Sequence, residues 1–541
     1  EYALREAEYL AGLLRLQGGG QRGVPGREAA VLSGREEASV EQFPGENRNE
    51  RFLDQLEKLW KVLLQQEFHD VLPGTSIERV NREAEEALAQ VERESRALGE
   101  ELLFRLAGGK ALFNSLSWER SFRGMKLPSC GYLKLQDEET APGQGQEELS
   151  LSGLQEREDV LPEKCCGDCR KPWVREIPRT FEEEIVFQNS FYEARIDKEG
   201  RVISLRDRRS GYEYAREPLN RWRLYRDVNV DYDAWELGRM YEQAPEKLDG
   251  VCSFRAGYLA DGSMIVVVER QEKYFTARQN IFFRADSPRI DFETEIDWQE
   301  RHRILKADFP TTVYTKEVLE EIQFGYIRRP THKSRQYEQD LYETCHHKYA
   351  VLTDGENGFA LLNDCKYGIS AEDSRLSLTL LRAPVAPDMR ADRGRQRFTY
   401  SILPFSGSFA QSRVTEEAYE CNVEVTACGF DGAAQAERFS GENFSAGDEA
   451  EAVSFFRLEG GHAVLETCKP AFDRKDGVVL RLYESKGCAG VTTLFVPDSV
   501  KRIFACNMLE EEKQELRLEE GKLRLAFRAF EIKTIMLVIS K

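Results

Sequence analysis

The chain carries six histidines, at positions 69, 302, 332, 346, 347 and 462, and only His69 is followed directly by a carboxylate, Asp70. A histidine near the end of a helix interacts favourably with the negative end of the helix dipole, and that is the plain structural use of His69. A neutral imidazole can also bind a metal ion, which is the chemistry open to any of the six. None of the six histidines is followed two positions later by Asp. Cys165, Cys166 and Cys169 form the tightest thiol group, yet the sequence holds no second Cys-x-x-Cys to complete four zinc ligands. That group lies in a polar, Glu- and Gly-rich stretch.

Two amphipathic helices must place His69 and Asp70. Phe52, Leu53, Leu56, Leu59, Trp60, Leu63, Leu64 and Phe68 recur three or four residues apart and predict one buried helical face. Pro73 and Gly74 stop that helix. Thr75 and Glu78 have the spacing of a capping box for the next helix. Its buried stripe is Ile77, Val80, Ala84, Ala87, Leu88, Val91 and Leu98. His69 and Asp70 are therefore expected where a helix ends.

The run Trp60 to Ile77 resembles a segment of glycoside hydrolase family 38, the α-mannosidases, whose pattern is W-K-x-L-L-x-N-Q-F-H-D-I-L-P-G-S-S-I. It departs at Gln66 and Glu67, where the family has Asn-Gln. The resemblance continues through Asn220–Asp227 with Asp231–Leu237, Arg329–His332 with Tyr342-Glu343 and His347–Tyr349, Leu361–Gly368, Leu378–Asp388 and Phe530–Thr534. Tyr337 and Tyr349 stand where the family usually has Trp, and Ser334 where it has Asn. The resemblance implies that His69 is a metal ligand for one zinc ion and that Asp70 lies in the sugar pocket. It also implies retaining hydrolysis of terminal α-D-mannose from mannose-containing oligosaccharides, which needs two carboxyl groups roughly 5 Å apart. The remaining zinc ligands and both catalytic carboxylates belong to a preceding barrel, so no catalytic residue is assigned within 1–541. By the same reasoning, this chain alone is expected to be inactive.

Composition agrees with a neutral substrate. The formal net charge is −19, and 32% of residues are charged against 41% hydrophobic. An acidic chain without a basic stripe argues against nucleic acid, whose binding runs on phosphate neutralisation. It equally argues against an anionic membrane surface, and no stretch approaches the ~18 apolar residues of a membrane span. Twelve cysteines, mostly scattered singly, read as reduced thiols in a cytoplasmic protein. The length of 541 residues suits two to four domains, and self-association into a homo-oligomer is compatible with it. The chain begins at Glu1, inside a stripe of Leu4, Ala7, Leu10, Ala11 and Leu14, so an N-terminal truncation is expected.

The fold expected is α+β and multidomain: a three-helix bundle over 1–107, then antiparallel β-sandwich domains over 108–420 and 421–541. Two polar insertions, near 18–46 and 136–180, are expected to be loops. After about Lys110 the hydrophobic period changes from near 3.6 to 2, as in Ile290, Phe292, Thr294, Ile296 and Trp298. Ala194–Leu205 reads as strand, turn at Gly200, strand. Many strands without alternating helices predict antiparallel pairing. Tyr232 and Trp235 read as core or interface aromatics, and His332 and His347 as hydrogen-bonded structural residues. A different reading of the same features is a non-catalytic β-sandwich module that binds glycans or a protein partner.

Overall fold

In the computed structural model, the residues described are 1–18, 48–122, 124–135, 175–176, 184–227, 231–429 and 451–539. The two expected insertions and the Cys165–Cys169 group therefore lie outside the described residues, apart from Gly18 and the two-residue strand Arg175–Glu176. Three helices open the chain: α1 (Tyr2–Gly18), α2 (Arg48–Gln66) and α3 (Glu78–Ala107). Helix α1 is enclosed on nearly every side: Leu4, Ala7, Tyr9, Leu10 and Leu13 are fully buried, and Arg5 and Glu6 are buried as an ion pair. It lies between α3 and the strand Ala463–Pro470, far along the chain. Gly12 makes that approach possible, because a Cβ there would sit 2.9 Å from Cys468 Sγ and 3.2 Å from backbone. Arg15 fastens the end of α1 by donating to the carbonyls of Ala471, Arg474 and Gly477.

Helix α3 closes at Gly108, whose φ of 67° lets its N–H reach back to Phe104 O. From there the fold is antiparallel, in every strand pairing among the described residues. Helix beyond residue 110 is confined, among the described residues, to Gln336–Asp340, Val414–Asn422 and two short 3-10 turns. The α+β multidomain architecture expected from the change of period is thus what forms. Gly200, at φ 76°, turns the chain between Tyr192–Asp197 and Val202–Asp207 as its position predicted.

A ten-stranded sheet and a six-stranded sheet pack face to face as the large sandwich. Val266, Ile281, Phe292, Phe359 and Tyr400 from one meet Leu305, Phe309, Leu376 and Leu378 from the other in a single core. A second core is shared between the helices and the last β region, joining Leu10, Leu56, Leu102 and Leu106 to Leu480, Ile503 and Leu537. The strand Ala111–Asn114 even pairs with Thr426–Cys428, over three hundred residues away. The helices are therefore built into the C-terminal β region. They form a rigid base from which the α2–α3 connection projects.

Candidate functional site

Helix α2 ends at Gln66, so His69 and Asp70 lie in the turn beyond it rather than in its last coil. The turn is compact: Val71 N and Leu72 N both donate to Phe68 O, at 2.9 and 3.0 Å. Gly74 adopts a φ of 67° as the chain reverses. The expected capping box does not form. Helix α3 begins after Ile77, which has no side-chain cap. Thr75 and Ser76 instead turn back and donate their hydroxyls to Asp70 O, Ser76 at 2.7 Å and Thr75 at 3.5 Å. A hydroxyl can serve either a helix N–H or a nearby carbonyl. Here it braces the residue that carries the candidate carboxylate.

The His69 imidazole faces solvent, its side chain 68% exposed, with Nε2 3.5 Å from Asp70 Oδ2. Its ring leans on Phe68, centroids 4.4 Å apart. Around it Leu64, Phe68, Leu72 and Ile77 are all more than half exposed. Leu64, Phe68, Ile77 and Leu88 therefore leave the buried stripes in which their spacing placed them. Within the described residues no group of three or more His, Cys, Asp or Glu could enclose a metal. One exposed imidazole suits a zinc ion as part of a larger donor set, and cannot by itself satisfy a four-coordinate one.

Of the other histidines, His462 is exposed, His302 and His346 are hydrogen-bonded within the fold, and His332 and His347 each approach a glutamate. His346 is fully buried; its Nδ1–H donates to Tyr367 O at 3.0 Å, and its Nε2 accepts from Asn363 Nδ2 at 2.9 Å. His332 and His347 lie within 3.6 and 3.9 Å of Glu338 and Glu321. Burial pulls the His346 imidazole down to about 4, from an ordinary 6.5. Below pH 6.5 the unfolded chain takes up a proton that the folded chain refuses until about pH 4. Stability should fall as pH drops through this window, by about 3 kcal/mol at most for the full shift. Urea unfolding between pH 7 and pH 4.5 checks it. His346→Asn, which keeps a donor for Tyr367 O, should show a shallower loss; equal slopes would show that other groups drive the acid lability.

A second loop reaches the same region, and the sequence alone did not reveal how it is held. Asn81, in the first turn of α3, donates to Ser76 O at 3.4 Å and to Asp388 Oδ2 at 3.1 Å. Just before Asp388, the N–H groups of Val385 and Ala386 donate to Asp233 Oδ2, at 2.7 and 3.2 Å. Ala234 N donates to Ala386 O at 3.1 Å. Arg382 then ties the loop down. Its guanidinium donates to Asp227 Oδ2 at 2.5 Å and to the carbonyls of Asp233, Ala234 and Glu236. Asp227 is fully buried, and its N–H and carbonyl both bond His302. The loop so fixed carries Tyr232 and Trp235, which are 72% and 55% exposed. Neither is buried in a core among the described residues. The signal for the loop's anchoring was hidden because Arg382 and Asp227 are 155 residues apart.

Comparisons with known proteins cover nearly all of this framework. Residues 1–106 match the family model "Alpha mannosidase middle domain". Residues 187–390 match "Glycosyl hydrolases family 38 C-terminal domain", and 462–535 match its "C-terminal beta sandwich domain". Human "Alpha-mannosidase 2C1" is 31% identical over 513 residues, covering 90% of this chain and 46% of the human protein. "Alpha-mannosidase G" of Dictyostelium discoideum is 32% identical over 370 residues, covering 66% of this chain and 32% of its own length. The chain thus spans less than half the length of these curated relatives. Among solved structures, an alpha-mannosidase from Enterococcus faecalis V583 shares the fold with a TM-score of 0.65 at 14% identity, over 99% of this chain and 66% of that one. Three family models in the family's own order, over the helices and both β regions, place the chain in glycoside hydrolase family 38, of which it forms the middle and C-terminal domains.

Proposed function

We propose that this chain is the C-terminal part of an α-mannosidase that removes terminal non-reducing α-D-mannose from glycans by a zinc-assisted retaining mechanism. The observation that carries the proposal is the exposed His69 imidazole beside Asp70, on a braced turn whose apolar surroundings stand uncovered. A bound zinc ion would act as a Lewis acid toward hydroxyls of the sugar. His69 would give one ring nitrogen to that ion. The Asp70 carboxylate would accept a hydrogen bond from a sugar hydroxyl, while its own carbonyl stays engaged by Ser76. The other ligands, and the carboxyl pair that retaining hydrolysis requires, are assigned to the part of the relatives that this chain does not span.

The same reading includes three units, at 1–107, 108–420 and 421–541, and a cytoplasmic protein able to self-associate. Nine cysteines among the described residues are free thiols, which suits a reducing compartment. No helix among the described residues is long and apolar enough to cross a membrane.

The 541-residue chain, purified without a tag, should hold no stoichiometric zinc and should not turn over an aryl α-mannoside above background. One nitrogen ligand does not preorganise a tight site, and without a positioned nucleophile no glycosyl-enzyme intermediate forms. Elemental analysis and a turnover assay decide it. One zinc per chain that disappears in His69→Ala, or measurable turnover, would place a complete site within these residues.

A further inference from the structure

We infer that Tyr232 and Trp235 form an aromatic platform that binds a pyranose ring of the glycan next to the His69–Asp70 turn. The two rings leave one tight turn, in which Trp235 N and Glu236 N both donate to Tyr232 O, at 2.8 and 2.9 Å. Tyr232 holds a φ of 52°, a conformation that a bulky residue rarely adopts and glycine adopts freely. A tyrosine kept there, with its ring 72% exposed, is not explained by packing within the described residues. Strain of this kind persists where the surroundings over-determine it and collects at ligand sites.

The surroundings do over-determine it. The Asp233 carboxylate, between the two aromatics, accepts two backbone N–H groups from Val385 and Ala386. Arg382 clamps the carbonyls on either side and is itself held by buried Asp227. His302, another residue at positive φ (49°), packs behind with Nδ1 3.1 Å from Asp227 O. Two aromatic side chains on so fixed a backbone lose little freedom on meeting a ligand.

The composition favours a sugar as that ligand. A pyranose offers a face of C–H bonds that packs on an aromatic ring, and a rim of hydroxyls that donate to carboxylates. The turn presents both complements, with Asp231 exposed next to Tyr232 in the chain. The position favours it too. Asp388, Asn81 and Ser76 link this loop by hydrogen bonds to the carbonyl of Asp70. Through these bonds the loop that carries the two rings is tied to the turn that carries His69 and Asp70. Only the identity of that glycan rests on the α-mannosidase reading.

The test uses the 541-residue chain in EDTA with an α-linked mannotriose as probe, read by saturation-transfer NMR. Wild type should transfer saturation to the sugar. Tyr232→Gly, which suits the backbone better than tyrosine, should keep the melting temperature, and it and Trp235→Ala should bind at least about fivefold more weakly. Phe472→Ala, at an equally exposed ring in the last β region, should transfer as wild type does, while the EDTA separates the platform from the metal reading. Equal transfer in wild type and both platform variants overturns the inference. So does its absence in wild type, which would leave the rings to contact another polypeptide.

Discussion

On the proposed reading, His69→Ala in an α-mannosidase that contains this chain should lower turnover of an aryl α-mannoside at least about a hundredfold, near 2.7 kcal/mol of transition-state stabilisation, and release the metal. The size follows from the proposed role: a lost ligand would loosen the ion that positions the sugar. It does not follow from instability. The His69 side chain is 68% exposed, and its contacts are one ring and one carboxylate on its own turn. Surface changes of this kind alter folding by roughly half a kcal/mol or less. Asp70→Asn separates the two residues. The amide keeps the size of the side chain and leaves the Ser76 bond to the Asp70 carbonyl untouched. It should reduce turnover while metal content stays near wild type. Full activity in His69→Ala would remove the ground for the site assignment, and metal loss in Asp70→Asn would make Asp70 a ligand.

What the sequence made legible here was local. The change of period near Lys110 and the turn at Gly200 each follow from a few neighbouring residues, and each stands in the fold; helix α2 instead ends at Gln66, ahead of the Pro73-Gly74 break expected to stop it. The exposure of Leu64, Phe68 and Ile77 could not be read in the same way. Helical spacing shows that a face is apolar, and leaves open which polypeptide covers it. The capping box failed for a related reason. Thr75 and Ser76 had two possible acceptor-donor arrangements within a few residues, and the compact turn at Asp70 took them. Within the candidate site, His69 and Asp70 were recognised through a resemblance. Their connection to Asp388, Asp233 and Arg382 was invisible, because it joins segments about 150 to 310 residues apart.

That hidden connection is also where the largest loss of stability is expected. Arg382→Ala should destabilise the large sandwich by about 3–5 kcal/mol, because it strands a buried charge. Asp227 is fully buried, and Arg382 supplies the hydrogen bond to Oδ2, while Oδ1 has no hydrogen-bond partner among the described residues. The same substitution removes the donor from the carbonyls of Asp233, Ala234 and Glu236. Those carbonyls sit at a partly exposed loop and can turn to water; the Asp227 carboxylate cannot. The comparison with Asp227→Ala and with the double variant separates the two contributions. If the buried charge dominates, Arg382→Ala with Asp227→Ala should be more stable than Arg382→Ala alone, since the second change removes the stranded group. For a unit of this size the single variant should lower the melting temperature of the affected transition by roughly 10 °C. Calorimetry of the three variants measures it, with the transition followed separately from that of the helical base because a chain with two cores need not unfold in one step. An Arg382→Ala protein that melts with wild type would show that water reaches Asp227, and that the clamp orders the Tyr232 loop without supporting the fold.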